Sequence, residues 1–300
     1  MSSELDIKRL SPALGAEITG LDLRDLGDGS VEILRGLLRE HLVLFFPGQH
    51  LDIDAHVALG SHFGPLESHP NLDNPFTRHP QVFELAASHG GVADEWHSDI
   101  SFGAHPAMMS ILNMIECPEV GGDTLWASAY AAYEALSQPL QDLCAGLTAL
   151  HDATPHGMPE SNAIHPVVRV HPETGRRALF VNQHFTRRLV ELSHEESELL
   201  LDYLVRWIAN PRFTVRYRWR RGTIAMWDNR CTQHFVVGDF EEQRVIQRVT
   251  VMGDTPEGAQ PPRWEPYLRS RGASATSRYD QALNDALGRH LDTLESNRRK

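Results

Sequence analysis

Short apolar runs separated by turn residues recur along this chain, and they restrict its fold more than any other feature. The run Leu42–Phe46 ends at Pro47–Gly48, which predicts a buried strand followed by a turn. Val215, Tyr217 and Trp219 alternate with three arginines, a pattern typical of a half-exposed strand. Neither a strand-helix alternation nor a glycine-rich phosphate loop accompanies these runs. The sequence therefore predicts a β-rich barrel or sandwich with a few flanking helices.

Apolar spacing also predicts two helices in the first part of the chain. Ser30 is a suitable N-cap for an apolar stripe that continues to His41. Asp52 or Asp54 can cap a second helix, which runs to Phe63 and stops at a Gly-Pro pair.

Ser193 and Glu196 have the spacing of a capping box, which predicts the start of a third helix. Its apolar side is expected to comprise Leu199, Leu200, Tyr203, Leu204 and Trp207. Strands are predicted near 108–114, 124–126, 167–171, 178–182, 223–227 and 244–252, short helices near 130–136 and 139–147, and irregular segments over 66–95 and 152–166.

Composition is that of an ordinary globular protein, with 41% apolar and 23% charged residues in 300. The formal net charge of −12 gives no global attraction for nucleic acid. No apolar stretch is long enough to span a membrane, and no secretory signal is visible. Three cysteines stand far apart, without a CxxC pair, which favours reduced thiols and a cytoplasmic location.

The motif with the clearest chemistry is His97-Ser98-Asp99. Alternate residues of a strand share a face, so this imidazole and this carboxylate can reach one metal ion. His234 ends another predicted strand much further along the chain. Two histidines and one carboxylate form the facial triad of non-haem Fe(II) oxygenases, which leaves three coordination positions open.

Arg244 and Arg248 form the second feature with chemical meaning. Residues four apart on a strand face the same side, so both guanidiniums would point into one interior. Buried guanidiniums are costly unless anions meet them. The pair therefore indicates binding of two carboxylate or sulfonate groups.

Seven segments together resemble the taurine dioxygenase family of Fe(II)- and 2-oxoglutarate-dependent oxygenases, from about residue 8 to about 254. They are GAEITGLDL (15–23), WHSD (96–99), GGDTLW (121–126), HPVVR (165–169), FVNQHF (180–185), WDNRCTQH (227–234) and QRVIQRVTVMGD (243–254). The resemblance implies a double-stranded β-helix, or jelly roll, over 1–254. It leaves 255–300 as a linker and an amphipathic helix, which we expect to support a homo-oligomer (a dimer or tetramer).

The resemblance also assigns roles to individual residues. It implies that His97, Asp99 and His234 bind Fe(II), the metal that activates O2, and are the catalytic centre. Thr124 and Arg244 would hold the distal carboxylate of the cosubstrate 2-oxoglutarate. The small anionic organic substrate would be bound by His69, Ile100, Phe185 and Arg248.

Two positions depart from the taurine-specific amine contacts of that family. Leu72 and Ala93 stand where a tyrosine and an asparagine are expected, and neither side chain can hydrogen-bond an ammonium group. A sulfonate or an alkyl sulfate ester is therefore the expected substrate, hydroxylated next to the heteroatom and released as a carbonyl compound plus sulfite or sulfate. An aryloxyalkanoate or other carboxylate oxygenase, a silent anion-binding barrel and a zinc hydrolase stay open as alternatives.

Overall fold

The computed structural model describes residues 5–68, 79–86 and 93–267, together with Gly288. Its strands are β1 (Asp6–Arg9), β2 (Ala16–Thr19), β3 (Val43–Phe46), β4 (Phe83–Ala86), β5 (Ala107–Glu116), β6 (Thr124–Ser128), β7 (Thr148–Ala153), β8 (Met158–Pro166), β9 (Val168–Val170), β10 (Arg177–Leu179), β11 (Thr186–Leu189), β12 (Thr214–Tyr217), β13 (Ile224–Asp228), β14 (Thr232–Val236) and β15 (Val245–Met252). Its helices are α1 (Asp28–His41), α2 (Ile53–Ser61), α3 (Ala129–Glu134), α4 (Gln138–Cys144) and α5 (His194–Ile208).

The chain forms two compact units. Unit 1 comprises 1–99, 107–128 and 209–254, and unit 2 comprises 100–106, 129–208 and 255–300. Unit 1 holds a seven-stranded sheet in the order β1-β2-β3-β13-β5-β15-β4 and a three-stranded sheet in the order β12-β6-β14. Neighbouring strands are antiparallel except for the parallel pair β2 and β3. Because sequential strands are seldom neighbours, distant segments of the chain meet inside this unit.

An aromatic core joins the two sheets of unit 1. Phe45 of β3 stacks on Tyr217 of β12, with ring centroids 3.8 Å apart, and meets Trp126 of β6 edge-on at 5.1 Å. Trp126 in turn contacts Trp227 of β13 at 5.7 Å. Full burial of such side chains contributes about 1.5–3 kcal/mol each. Two facing sheets with crossed connections form the jelly roll that the sequence predicts.

Unit 2 contains a sheet in the order β11-β7-β8, the β9-β10 hairpin and the helices α3, α4 and α5. The capping box is confirmed, because the Ser193 amide donates to Glu196 and the Glu196 amide donates to the Ser193 hydroxyl. The predicted apolar side of α5 is wrong in part. Leu199 is 75% exposed, whereas Leu204 and Ile208 are buried.

Two further local predictions need correction, and the structure selects one of the two predicted caps of α2. Helix α1 begins at Asp28 with Gly27 as its N-cap, and Ser30 lies inside its first turn. Asp52, not Asp54, caps α2 by accepting from the Ala55 amide at 2.8 Å. The segments predicted as irregular contain β4 and β8, which are edge strands of their sheets. An edge strand is held by backbone hydrogen bonds to one neighbouring strand. Apolar and polar residues therefore need not alternate along it, and its sequence resembles that of an irregular segment.

The amphipathic helix predicted near the C-terminus lies outside the described residues. Among the residues that the structure does describe, no helix combines the length and apolar character needed to cross a membrane.

Candidate metal centre and carboxylate site

Backbone pairing between distant segments brings two histidines together in unit 1. The amide of His97 donates to the carbonyl of His234 at 3.1 Å, and the His234 amide donates back to His97 at 2.8 Å. The two imidazole rings lie side by side with centroids 4.0 Å apart. Asp99 lies two residues beyond His97 on the same side, with Oδ1 3.8 Å from Nε2 of His97 and 4.0 Å from Nε2 of His234. The three side chains are buried and converge within 4.8 Å.

Hydrogen bonds fix the orientation of these side chains. Nδ1 of His97 donates to the carbonyl of Glu95 at 2.7 Å, which leaves the Nε2 lone pair directed at Asp99 and His234. Oδ2 of Asp99 accepts from the Ser110 hydroxyl at 2.6 Å. That hydroxyl accepts from Asn229 at 2.9 Å. The carboxylate therefore keeps Oδ1 toward the imidazoles.

The protonation states suit metal binding. Burial lowers the pKa of His234 well below its ordinary value, and the neighbouring His97 acts in the same direction. For Asp99, burial acts to raise the pKa, but Arg248 and the two histidines outweigh it and hold the pKa well below the usual range. An ionised Asp99 and a neutral His234 are the forms in which these groups bind a cation.

Arg248 of β15 forms an ion pair with Oδ1 of Asp99, through Nη1. Its guanidinium also lies 5.2 Å from the centroid of the Phe83 ring. The side chain is 18% exposed. The guanidinium therefore balances the charge of the buried Asp99 carboxylate.

Arg244 lies just before β15 and is buried, with 5% exposure. Its Nε donates to the Gly122 carbonyl at 3.2 Å and its Nη2 to Oγ1 of Thr124 at 3.4 Å. Burial lowers its pKa to about 10, so it stays protonated at neutral pH. Within the described part of the chain its partners are neutral, and no carboxylate lies at salt-bridge distance. A buried cation without an anion is costly, so this site fits an anionic ligand.

Trp219 orients the hydroxyl of Thr124. The indole Nε1 donates to Oγ1 at 2.9 Å, in a fully buried contact. Because Oγ1 also accepts from Arg244, the hydroxyl proton is directed to a further acceptor. Thr124 and Arg244 thus offer two donors to one anion.

The turn before Thr124 requires both of its glycines. Gly121 and Gly122 have φ of 84° and 66°, a region that favours glycine. A Cβ on Gly121 would lie 2.5 Å from the Asp239 carbonyl oxygen. A Cβ on Gly122 would lie 3.0 Å from Pro118 and 3.3 Å from Cδ of Arg244. The double glycine therefore allows the turn to pass close to the arginine.

The structure accounts differently for the four residues predicted to bind substrate. Arg248 pairs with Asp99. His69 falls outside the described residues. Ile100 directly follows Asp99 in the chain and has φ of 56°, an unusual conformation for a β-branched residue. Phe185 is buried in unit 2 against Phe102, with ring centroids 5.0 Å apart. The substrate roles of these residues stay predictions.

Three supporting residues were not identified from the sequence. Ser110 and Asn229 hold Asp99, and Trp219 holds Thr124. Asn229 lies inside the segment 227–234, one of those that carry the family resemblance. Ser110 carries a weaker signal, a small polar residue within an apolar strand.

A jelly roll that holds two buried imidazoles and one carboxylate is typical of Fe(II)- and 2-oxoglutarate-dependent oxygenases. So is a buried arginine whose partners, among the residues the structure describes, are neutral. The family model described as "Taurine catabolism dioxygenase TauD, TfdA family" matches residues 6–250. The chain belongs to this family. It is an Fe(II)- and 2-oxoglutarate-dependent dioxygenase, and the predicted enzyme class and cofactors are confirmed.

Individual relatives are similar over nearly their whole length. The chain is 36% identical to the "Alkylsulfatase" of Acinetobacter baylyi, a match that covers 86% of this chain and 88% of the relative. It is 36% identical to the "Alpha-ketoglutarate-dependent sulfate ester dioxygenase" of Pseudomonas putida, over 85% and 92%. A crystal structure of a taurine dioxygenase from Burkholderia xenovorans aligns with a TM-score of 0.78 at 34% identity, over 94% and 98%.

Proposed function

We propose that this dioxygenase hydroxylates a small organic anion, a sulfonate or an alkyl sulfate ester, on the carbon next to the heteroatom. The observation that carries the proposal is the convergence of His97, Asp99 and His234 in the same unit as the buried Arg244. The names of the Acinetobacter and Pseudomonas relatives support sulfate esters as the substrate class.

In this proposal His97, Asp99 and His234 would hold Fe(II). The metal, when bound with 2-oxoglutarate, supplies the activation of O2. Ser110 and the Glu95 carbonyl keep the carboxylate and one imidazole aimed at the site. That preset orientation lowers the cost of binding the ion.

Arg244 and Thr124 hold the distal carboxylate of 2-oxoglutarate. The guanidinium provides a charge-assisted hydrogen bond, worth about 1.5–3 kcal/mol. The Thr124 hydroxyl adds a second donor in an orientation that Trp219 fixes. The unmatched positive charge of Arg244 is thereby neutralised.

Arg248 binds the sulfate or sulfonate group of the primary substrate. Arg248 would turn its guanidinium from Asp99 to the substrate anion if Asp99 were to bind Fe(II), because the ion would then balance the carboxylate charge. His69, the backbone at Ile100 and the ring of Phe185 complete the substrate site in this proposal.

The reaction balances as follows for an alkyl sulfate. One oxygen atom of O2 becomes a hydroxyl on the carbon that bears the ester oxygen, and the other enters succinate as 2-oxoglutarate loses CO2. The hydroxylated carbon then loses the sulfate: the carbon–oxygen bond to the ester breaks, the hydroxyl releases its proton, and an aldehyde forms. A sulfonate follows the same course with carbon–sulfur cleavage, and gives sulfite.

Anaerobic visible spectroscopy tests this function. Fe(II) and 2-oxoglutarate added to the full chain should give a weak charge-transfer band in the visible range. Alkyl sulfates, sulfonates and aryloxyalkanoates are then added in turn, and the true substrate class should shift the band. Folded protein without a band under ample iron would contradict the proposed chelate. A shift with aryloxyalkanoates alone would favour the carboxylate alternative.

Arg248→Gln separates the two anion sites. It should weaken substrate binding by ~10–100-fold, the value of one charge-assisted hydrogen bond, and leave the 2-oxoglutarate requirement unchanged. A variant that instead damages only 2-oxoglutarate binding would show that the roles of Arg244 and Arg248 are exchanged.

Two alternative functions have their own readouts. Turnover with zinc and without 2-oxoglutarate would favour the zinc hydrolase. Anion binding without succinate formation would favour the silent anion-binding barrel.

We also propose a cytoplasmic location and a homo-oligomeric assembly. Cys117, Cys144 and Cys231 form no disulfide in the structure, which supports a reducing compartment. The oligomer rests on the sequence pattern of the C-terminal tail alone. Deleting residues 272–300 should lower the molecular mass measured in solution by light scattering to that of a single chain, and an unchanged subunit number would remove the idea.

A further inference from the structure

Two histidines outside the proposed iron site approach each other in unit 2. Nε2 of His156 and Nε2 of His184 lie 3.2 Å apart. His156 is exposed and His184 is half-buried, so water and dissolved ions reach the pair. They come from different segments: His156 ends the short 3₁₀ turn Thr154–His156, and His184 precedes β11.

The separation between the nitrogens fits a shared metal ion. Imidazole nitrogen binds zinc at ~2.0–2.1 Å. Two such bonds with nitrogens 3.2 Å apart enclose an angle of ~103° at the metal, between the octahedral and tetrahedral values. The distance between the two nitrogens is therefore compatible with one shared ion.

A buried carboxylate holds both histidine segments in place. Oδ1 of Asp152 accepts from the Thr154 amide at 3.0 Å, at the start of the turn that carries His156. The same oxygen accepts from Nε of Arg187 at 2.8 Å. Arg187 also donates through Nη2 to the carbonyl of His184 at 2.7 Å. Asp152 is 2% exposed, so this link is internal to the unit.

An aromatic ring supports the imidazoles from one side. Phe185 meets His184 edge-on with centroids 4.5 Å apart and meets His156 edge-on at 5.2 Å. Phe102 contacts His156 at 6.0 Å. The rings are therefore restrained by packing as well as through the backbone, which reduces the entropy lost when an ion binds.

We propose that His156 and His184 form a second metal site, for a divalent transition ion that prefers imidazole nitrogen. Cu²⁺, Ni²⁺ and Zn²⁺ belong to this class, and Cu²⁺ should bind most tightly of the three. The site shares no residue with the iron triad. Two protein ligands leave the other coordination positions to water, so binding should be weaker than at a three-ligand site.

Equilibrium dialysis of the full chain against Zn²⁺ tests the proposal. Wild-type protein should bind two equivalents, one at the triad and one at the histidine pair. His156→Gln and His184→Gln should each weaken the second equivalent by at least ~10-fold, because loss of even an outer-shell partner costs 10–100-fold. Asp99→Asn should weaken the other equivalent only.

His194→Gln is the matched control, since His194 is an exposed imidazole whose Nε2 lies 3.3 Å from a carboxylate oxygen of Glu198. It should leave both equivalents unchanged. Equal zinc loss from His194→Gln and His156→Gln, or zinc binding that neither His156→Gln nor His184→Gln weakens, would overturn the proposal. Thermal melting checks that each variant is folded.

Copper provides a second readout on the Asp99→Asn protein. Electron paramagnetic resonance of bound Cu²⁺ should show hyperfine coupling to two imidazole nitrogens. Adding His184→Gln should reduce that coupling to one nitrogen. Spectra that are identical with and without His184 would contradict the site, whatever the stoichiometry.

Discussion

Each unit of this protein buries a pair of histidines, and the two pairs have different partners. In unit 1, His97 and His234 face the carboxylate of Asp99 across 3.8 and 4.0 Å, distances too long for hydrogen bonds. In unit 2, Nδ1 of His151 and the hydroxyl of Ser101 share a hydrogen bond of 3.1 Å. Nε2 of His165 donates to the carbonyl of Gly103 at 3.0 Å.

Electrostatics alone do not separate these two pairs. Burial lowers the pKa of His151 well below its ordinary value and that of His165 to about 4, just as it lowers the pKa of His234. The pair in unit 2 has neutral hydrogen-bond partners that satisfy it. The pair in unit 1 has an ionised carboxylate and lone pairs that converge on it. A convergent carboxylate, more than a shifted pKa, distinguishes the candidate metal site of unit 1 from the structural histidine pair of unit 2.

The largest expected effect is a loss of succinate formation, and it distinguishes the histidine pair of unit 1 from that of unit 2. Asp99→Asn removes the charged ligand, so iron-dependent succinate formation should fall by at least ~1000-fold, about 4 kcal/mol of transition-state stabilisation. His165→Gln, the counterpart in unit 2, should retain the bound iron and lose stability instead. Succinate assays, iron binding and thermal melting measure the difference. Unchanged succinate production by Asp99→Asn would remove Asp99 from the triad.

A smaller effect is expected at the carboxylate site of unit 1. Arg244→Gln should raise the 2-oxoglutarate concentration for half-maximal turnover by ~10–100-fold, since it deletes a charge-assisted hydrogen bond. Initial rates across 2-oxoglutarate concentrations measure this shift. Arg206→Gln is the control, because Arg206 is 72% exposed and pairs with Asp202 on the surface of α5. A requirement that does not change in Arg244→Gln would refute the assignment.

Ser110→Ala tests whether the hydrogen bond to Asp99 orients the metal ligand. It should weaken Fe(II) or Mn(II) binding by ~10-fold without removing a ligand. The measurement is a metal titration by calorimetry. Ser61→Ala, which removes a hydroxyl that bonds the Val57 carbonyl at the exposed end of α2, should have no such effect. Equal affinities in Ser110→Ala and wild-type protein would make that hydrogen bond irrelevant to metal binding.

The last prediction concerns acid stability and tests the structural role of the unit 2 pair. The pKa of His165 is about 4 in the fold, against an ordinary value of 6.5 for an exposed histidine, so the unfolded chain binds a proton first as the pH falls. The contribution of His165 is complete above pH 6.5 and declines between pH 6.5 and about 4. Each pKa unit corresponds to about 1.4 kcal/mol.

His165→Gln should therefore have a flatter decline of unfolding free energy between pH 6.5 and 4 than wild-type protein. Urea unfolding at several pH values measures the slope. His194→Gln, with an exposed imidazole, should keep the wild-type slope. His56 is buried with a pKa of about 4 and will contribute its own share of the decline, so the slope should fall without vanishing.

The sequence by itself determined the fold class, the family and the identity of the metal-ligand candidates. Strand alternation is a local property, and His97 and Asp99 share a face because they lie two residues apart. Ser193 and Glu196 specify their helix start through contacts within one turn. Such features depend on neighbours in the chain, so the residues alone could predict them.

Tertiary structure alone decided which distant groups meet. The pairing of His97 with His234, the ion pair between Asp99 and Arg248, and the neutral surroundings of Arg244 all follow from the strand order of unit 1. The approach of His156 to His184 depends on a buried carboxylate that ties two turns together. Edge strands β4 and β8 were missed for the same physical reason, because backbone pairing with a remote strand holds them and leaves no periodic pattern in their own side chains.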